Sequence, residues 1–115
     1  MNQKHHVSQT IAKQLVEAGI VIESEYGWVG FINDNGGEYF EVRHERDSYP
    51  PRYPAPIATE ILERLPENVT IISHINDGRL IGGNMAVHGD VRVLNNSLPD
   101  ALALLLIRLT KDGLI

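Results

Sequence analysis

The chain contains no cysteine. That excludes a disulfide framework, a thiolate zinc site and a thiol nucleophile. Aromatic residues are sparse, with one tryptophan, four tyrosines and two phenylalanines, so each one is a candidate anchor of a core or of a binding surface. Basic residues are outnumbered, ten Lys and Arg against fifteen Asp and Glu, for a net charge of −5 and a pI near 5.4. The ten are also dispersed, which argues against a binder of nucleic-acid backbones. Long apolar runs are missing too. Ala101 to Ile107 is seven residues, against the roughly 20 that cross a bilayer, so no membrane partner is expected. Residues 1–8 lack an apolar signal core, and a cytoplasmic location is expected.

The apolar share is 43% and the charged share 22% over 115 residues. That balance belongs to one folded domain of common size. Within it, residues 1–7 read as a polar lead-in that frays, and the adjacent His5 and His6 as part of a solvated tail. Ser8 is the expected N-cap of a first helix carrying Ile11, Ala12, Leu15 and Val16 on one face, with Gly19 as its left-handed stop. The β-branched residues 20–22 can start a strand. Two seven-residue runs, 26–32 and 38–44, flank Asn33-Asp34-Asn35-Gly36-Gly37 and predict a β-hairpin. Phe40 and Val42 should face inward in its second strand. Alternation does not decide the inward face of the first. Gly27 and Gly30 suggest a bulge or a close backbone approach there.

Residues 45–55 hold Pro50, Pro51 and Pro54 and predict a stiff, extended connector. A second helix is expected over 56–65, with Pro56 in its first turn and a Glu60–Arg64 pair at i, i+4. Next come a strand over 69–75, a turn at Asn76-Asp77-Gly78, a short strand at 79–81, and a bulge or loop at Gly82-Gly83-Asn84. A last pairing joins 85–87 to 91–94. The closing helix has Ser97 and Asp100 in capping-box spacing, Pro99 in its first turn, and Gly113 past its end. Leu98, Leu102, Leu105, Leu106 and Leu109 form its stripe. Leu104 and Ile107 lie off that stripe, which leaves two readings: a central helix clasped on several sides, or a self-association surface giving a homodimer. The fold class is therefore α+β, an antiparallel sheet of short strands with three helices in the order α-ββ(β)-α-βββ-α, with one sheet favoured.

No spacing in the chain carries an evident chemistry. There is no phosphate-binding fingerprint, and neither a cofactor nor a metal is expected. His44, His74 and His88 match no ligand pattern with Asp77 or Asp90. Ser73 and His74 point to opposite faces of a strand, which is wrong for a nucleophile and its base. Surface recognition is the stronger expectation. Trp28, Tyr39, Tyr49, Arg52 and Tyr53 are of the types that dominate protein interfaces, and carboxylates near them could steer a basic partner. The alternative is a small hydrolase or ligand-binding domain with a site near His74, His88 and Asp90.

PAPIATEILERLPENV (54–69) and SLPDALALLLIRLTKDGLI (97–115) resemble a pattern in small proteins of phages, prophages and mobile elements. There a Pro-Ala-Pro-led helix ending in Leu-Pro precedes strands and a closing leucine-rich helix. The resemblance covers about a third of the chain, through motifs that are caps, stops and core leucines. It implies an accessory gene product working in the cytoplasm of a bacterial host, and it supplies no catalytic residue.

Overall fold

Helix starts and glycine stops set the frame, as the sequence predicts. The computed structural model describes residues 5–76 and 79–115, and the side chains of all of these except 73–82. Helix α1 spans Gln9–Glu17. The Ser8 hydroxyl accepts the Ile11 N–H at 3.4 Å, and Gly19 follows the helix at φ +77°. Ile11, Ala12 and Leu15 are buried, whereas Val16 turns outward. Residues 20–22 form no strand, and pair with none among the described residues. Ile20 and Ile22 nonetheless bury their side chains on either side of the exposed Val21.

The predicted hairpin is β1, Tyr26–Ile32, against β2, Glu38–His44, with Trp28 opposite Val42 and Phe31 opposite Tyr39. The Asn33 carboxamide holds the loop by accepting the N–H groups of Asn35 and Gly37, and Gly36 takes φ +83°. Trp28 and Val42 mark the inward face. Val29, on the other face, is buried too but stands outside the main core. Over that outer face runs the proline strap. Its Pro51 lies so close to Gly27 that a Cβ there would come within 2.3 Å of the Pro51 Cβ, so Gly27 marks a close approach. The strap ends in β3, Tyr53–Pro54, on the far edge of β1, giving the order β2-β1-β3.

Helix α2, Ala58–Leu62, is shorter than expected. Pro56 precedes its N-cap Ile57, whose N–H the Glu60 carboxylate accepts at 2.9 Å. Its far end tightens into i→i−3 bonds, Arg64 N–H to Ile61 and Leu65 N–H to Leu62, a narrower winding that Pro66 then stops. The Glu60–Arg64 pair does not form. Glu60 also takes the Ser24 hydroxyl at 2.9 Å, and Arg64 donates to the Val21 carbonyl.

A second sheet follows: β4, Thr70–Asn76, β5, Arg79–His88, and β6, Val91–Asn95, all antiparallel in the order β4-β5-β6. One expectation changes here and another is narrowed. The single sheet becomes two, because the strap closes the free edge of β1 with a two-residue strand carrying Pro54, whose nitrogen cannot donate to a further ladder. Of the bulge or loop expected at 82–84, the bulge is what forms: β5 serves both neighbours as one strand, and its register against β4 shifts between the Ser73–Asn84 and Ile75–Leu80 pairs. Gly83, at φ +78°, sits within this irregularity, where a Cβ would lie 2.4 Å from the Asn95 carbonyl oxygen. The expected turn residues Asp77 and Gly78 lie outside the described residues.

Helix α3, Leu98–Lys111, closes the chain at the centre of the fold, with Gly113 following at φ +70°. It packs against β5, β6, α1 and α2, which is the clasped reading. Leu102, Leu105 and Leu109 are fully buried, each worth about 2 kcal/mol of apolar transfer. One apolar cluster takes in all three helices and both sheets, from Trp28 and Val42 to Ala86, Val91 and Val93.

Candidate functional site

The starts of α1 and α3 meet at one end of the molecule and enclose a cleft of about 990 Å³. Ser8 and Gln9 of α1, Leu98 to Asp100 of α3, Ile57 to Thr59, and Tyr26 and Trp28 of β1 form its walls. The volume is in the range that takes a drug-sized molecule. Most of the wall is apolar: Trp28, Ile57, Ala58, Leu98 and Pro99.

Two polar side chains stand in this wall with more than nine-tenths of their surface buried. His6 is 4% exposed and Asp100 8% exposed. The Nδ1 of His6 lies 2.8 Å from the Ala55 carbonyl oxygen. A carbonyl only accepts, so Nδ1 must carry the proton, and Nε2 of the uncharged ring is then a bare acceptor. Among the described residues no sealed side-chain nitrogen or oxygen lacks a partner. Nε2, which has none, therefore opens on the cleft that His6 lines. Tyr26 holds the ring, at 4.8 Å between centroids. A bridge between His6 and Ile57, and the Val7 N–H donated to Pro56, lock the chain on either side.

Asp100 is diverted from its expected place. Ser97 accepts the Asp100 N–H, half of the capping box, but the Ser97 N–H goes to the Asn95 side chain at 2.9 Å. The Asp100 carboxylate instead accepts the Ser8 N–H at 2.7 Å, ninety-two positions away. It thereby performs for α1 the task that Ile11, at the third helical position, cannot. Burial pushes the Asp100 carboxyl above the usual carboxylate range, opposed by its bonds to Ser8. The positive ends of α1 and α3, about half a charge each, meet this one carboxylate and leave the site close to neutral.

The residues expected to bind a partner divide. Trp28 is a core residue whose indole N–H donates to the Val7 carbonyl at 2.8 Å. Tyr53 is half-buried opposite it on β3. Arg52 forms a two-pronged pair with Glu38 and lies over the Phe40 ring. Tyr39 and Tyr49 are 43% and 47% exposed, and Arg52 is exposed as well. The two tyrosines flank Phe31 on the outer face of the first sheet, with Arg43 over Phe31 and Tyr49. Ile107 is buried within its own chain, and Leu104 packs partly against the same core.

The proposed histidine site does not assemble in the described backbone. The register sets Thr70 opposite Val87. His88 thus lies beyond the row of Thr70, about 17 Å of strand from His74. The side chain of His74 lies outside the described residues. Asp90 is exposed in the turn after His88, and no group of three potential metal ligands occurs among the described residues.

Neither His6 nor Asp100 stands out in the sequence as a site residue. One signal was present. Val7 and Ala12 occupy the hydrophobic-staple positions on either side of the Ser8 cap. Both are almost fully buried, and they carry His6 inward with them. Compared with known proteins, the chain matches no family model, no curated protein and no solved structure.

Proposed function

We propose that the protein is a non-catalytic binding protein that takes a small organic ligand in the cleft between the starts of α1 and α3. One observation carries the reading: His6, 4% exposed, holds Nδ1 on the Ala55 carbonyl and leaves Nε2 without a partner among the described residues, in the wall of a cleft of about 990 Å³. A buried polar atom kept open in an apolar wall is the arrangement that orients a ligand. Both buried polar groups also hold the fold together, which suits recognition better than turnover. Ligand-observed NMR with a fragment set tests this, run on the native protein and on Thr59→Trp, whose indole fills the cleft mouth. Fragments that bind the native chain and are lost in the variant support the reading. Equal binding to both places the site elsewhere.

A second reading rests on Tyr39 and Tyr49, exposed around Phe31 and beside Arg43. Through that face the chain would dock on another protein as an accessory factor in a bacterial cytoplasm, the role that the resemblance to phage and prophage proteins implies. A Tyr39→Ala, Tyr49→Ala double variant should then stay folded and lose a partner that the native chain enriches. Unchanged enrichment would remove this face from consideration.

A further inference from the structure

We infer that the cleft selects an electrically neutral, planar ligand whose polar head both donates and accepts hydrogen bonds, as a primary amide or a lactam does, and discriminates against anions and cations of the same shape. The inference rests on the binding role proposed for the cleft and adds the chemical class of what enters it.

The partners on offer set the head group. Nε2 of the His6 ring accepts, because the ring proton sits on Nδ1, which donates it in a hydrogen bond to the Ala55 carbonyl. Asp100 is held by both the N–H and the hydroxyl of Ser8, so it stays committed to the start of α1 and contributes its charge to the cleft. At the first turn of α3, the Leu98 N–H has no partner within the helix, as helix starts require. A head carrying both an N–H and a C=O satisfies these groups together. A head with only one kind leaves a buried group unpaired, at about 1–3 kcal/mol.

Charge balance sets the sign. Among the described residues Asp100 is the only carboxylate lining the cleft, and the ends of α1 and α3 together oppose it with about one unit of positive charge. A carboxylate ligand would meet Asp100 at close range. An amidinium would meet two helix ends whose donors already repel it. Each would lose hydration and find no net opposite charge in return. A neutral head gives up far less. Planarity follows from the three flat rings, Trp28, Tyr26 and His6, that line the walls.

Three molecules of one shape test the claim: benzamide, benzoate and benzamidine. Trp28 is the only tryptophan and lines the cleft, so its emission reports each titration directly. Benzamide should bind saturably, and the two ions at least about tenfold more weakly, a difference of about 1.4 kcal/mol. Asp100→Asn keeps an oxygen for the Ser8 N–H and removes the negative charge, so the helix ends are left unopposed. In that variant benzoate should overtake benzamide, while benzamidine stays the weakest. His6→Phe should weaken benzamide at least about tenfold, with circular dichroism confirming that the variant is folded. If none of the three binds the native chain, the binding role of the cleft itself fails. If an ion binds as tightly as benzamide, or if Asp100→Asn leaves the order unchanged, the cleft binds but the neutral-ligand inference is overturned.

Discussion

Asp100 accepts the Ser8 N–H at 2.7 Å while only 8% exposed, so its stability contribution depends on its protonation state. Burial raises its folded value above the ordinary 3.8. The folded chain therefore holds this proton after the unfolded chain has released it. Its contribution is fully present below pH 3.8 and is lost as pH rises through the folded value. Asp100→Asn cannot titrate, so it should gain stability relative to the native chain across that window, as read by urea midpoints at a series of pH values. A difference that is flat or shrinks with rising pH contradicts the assignment. Asp100→Ala, which leaves the Ser8 N–H without its acceptor, should lose about 1–2 kcal/mol below pH 3.8, a loss that narrows as pH rises through the folded value. In the sequence, Asp100 was legible as a residue of the first turn of α3. Its bond to a helix start ninety-two positions earlier was not, because local capping rules describe a helix and its own flanks. His6 was hidden for a related reason: a polar tail and a polar residue fixed to a carbonyl look alike until the strand that brings the carbonyl is in place.

At the scale of elements, the starts and stops of α1 and α3, the Asn33–Gly37 loop and the order of the elements were all readable, since each rests on a residue with one strong local preference. Where long-range contacts decide, the reading changed. Helix α2 ends early because Glu60 and Arg64 are drawn to Ser24 and Val21. Strand β5 runs through a glycine pair that read as either a bulge or a loop, and only the ladder with β4 decides for the bulge. Gly83 and Gly19 make the contrast measurable, since their φ values are +78° and +77° but only Gly83 faces backbone. Gly19→Ala should lose about 1 kcal/mol for the left-handed conformation alone. Gly83→Ala should lose clearly more, about 2–4 kcal/mol, because the Asn95 carbonyl must also move. Similar losses for the two would contradict the close approach. Ile107→Ala tests the helix that closes the chain. As a core residue it should lose about 2–4 kcal/mol, with a melting temperature independent of protein concentration. A loss that appears only at high concentration would restore the self-association reading.

For the whole molecule, the fold class could be read from the chain while the number of sheets could not. Hairpins announce themselves locally, whereas whether two hairpins share an edge depends on how a strap of prolines crosses between them. The same assembly brings residues 6, 26, 57 and 100 to one cleft although no local motif joins them. Two surfaces therefore compete for function: the cleft at the helix starts, and the outer face bearing Tyr39 and Tyr49. The measurement that separates them most directly is a map of amide and indole NMR shifts during a benzamide titration. The cleft account predicts shifts concentrated at His6, Ser8, the Trp28 indole N–H and Asp100, saturating together with one affinity. Shifts confined to Tyr39, Arg43 and Tyr49, or no saturable shifts at all, would contradict it.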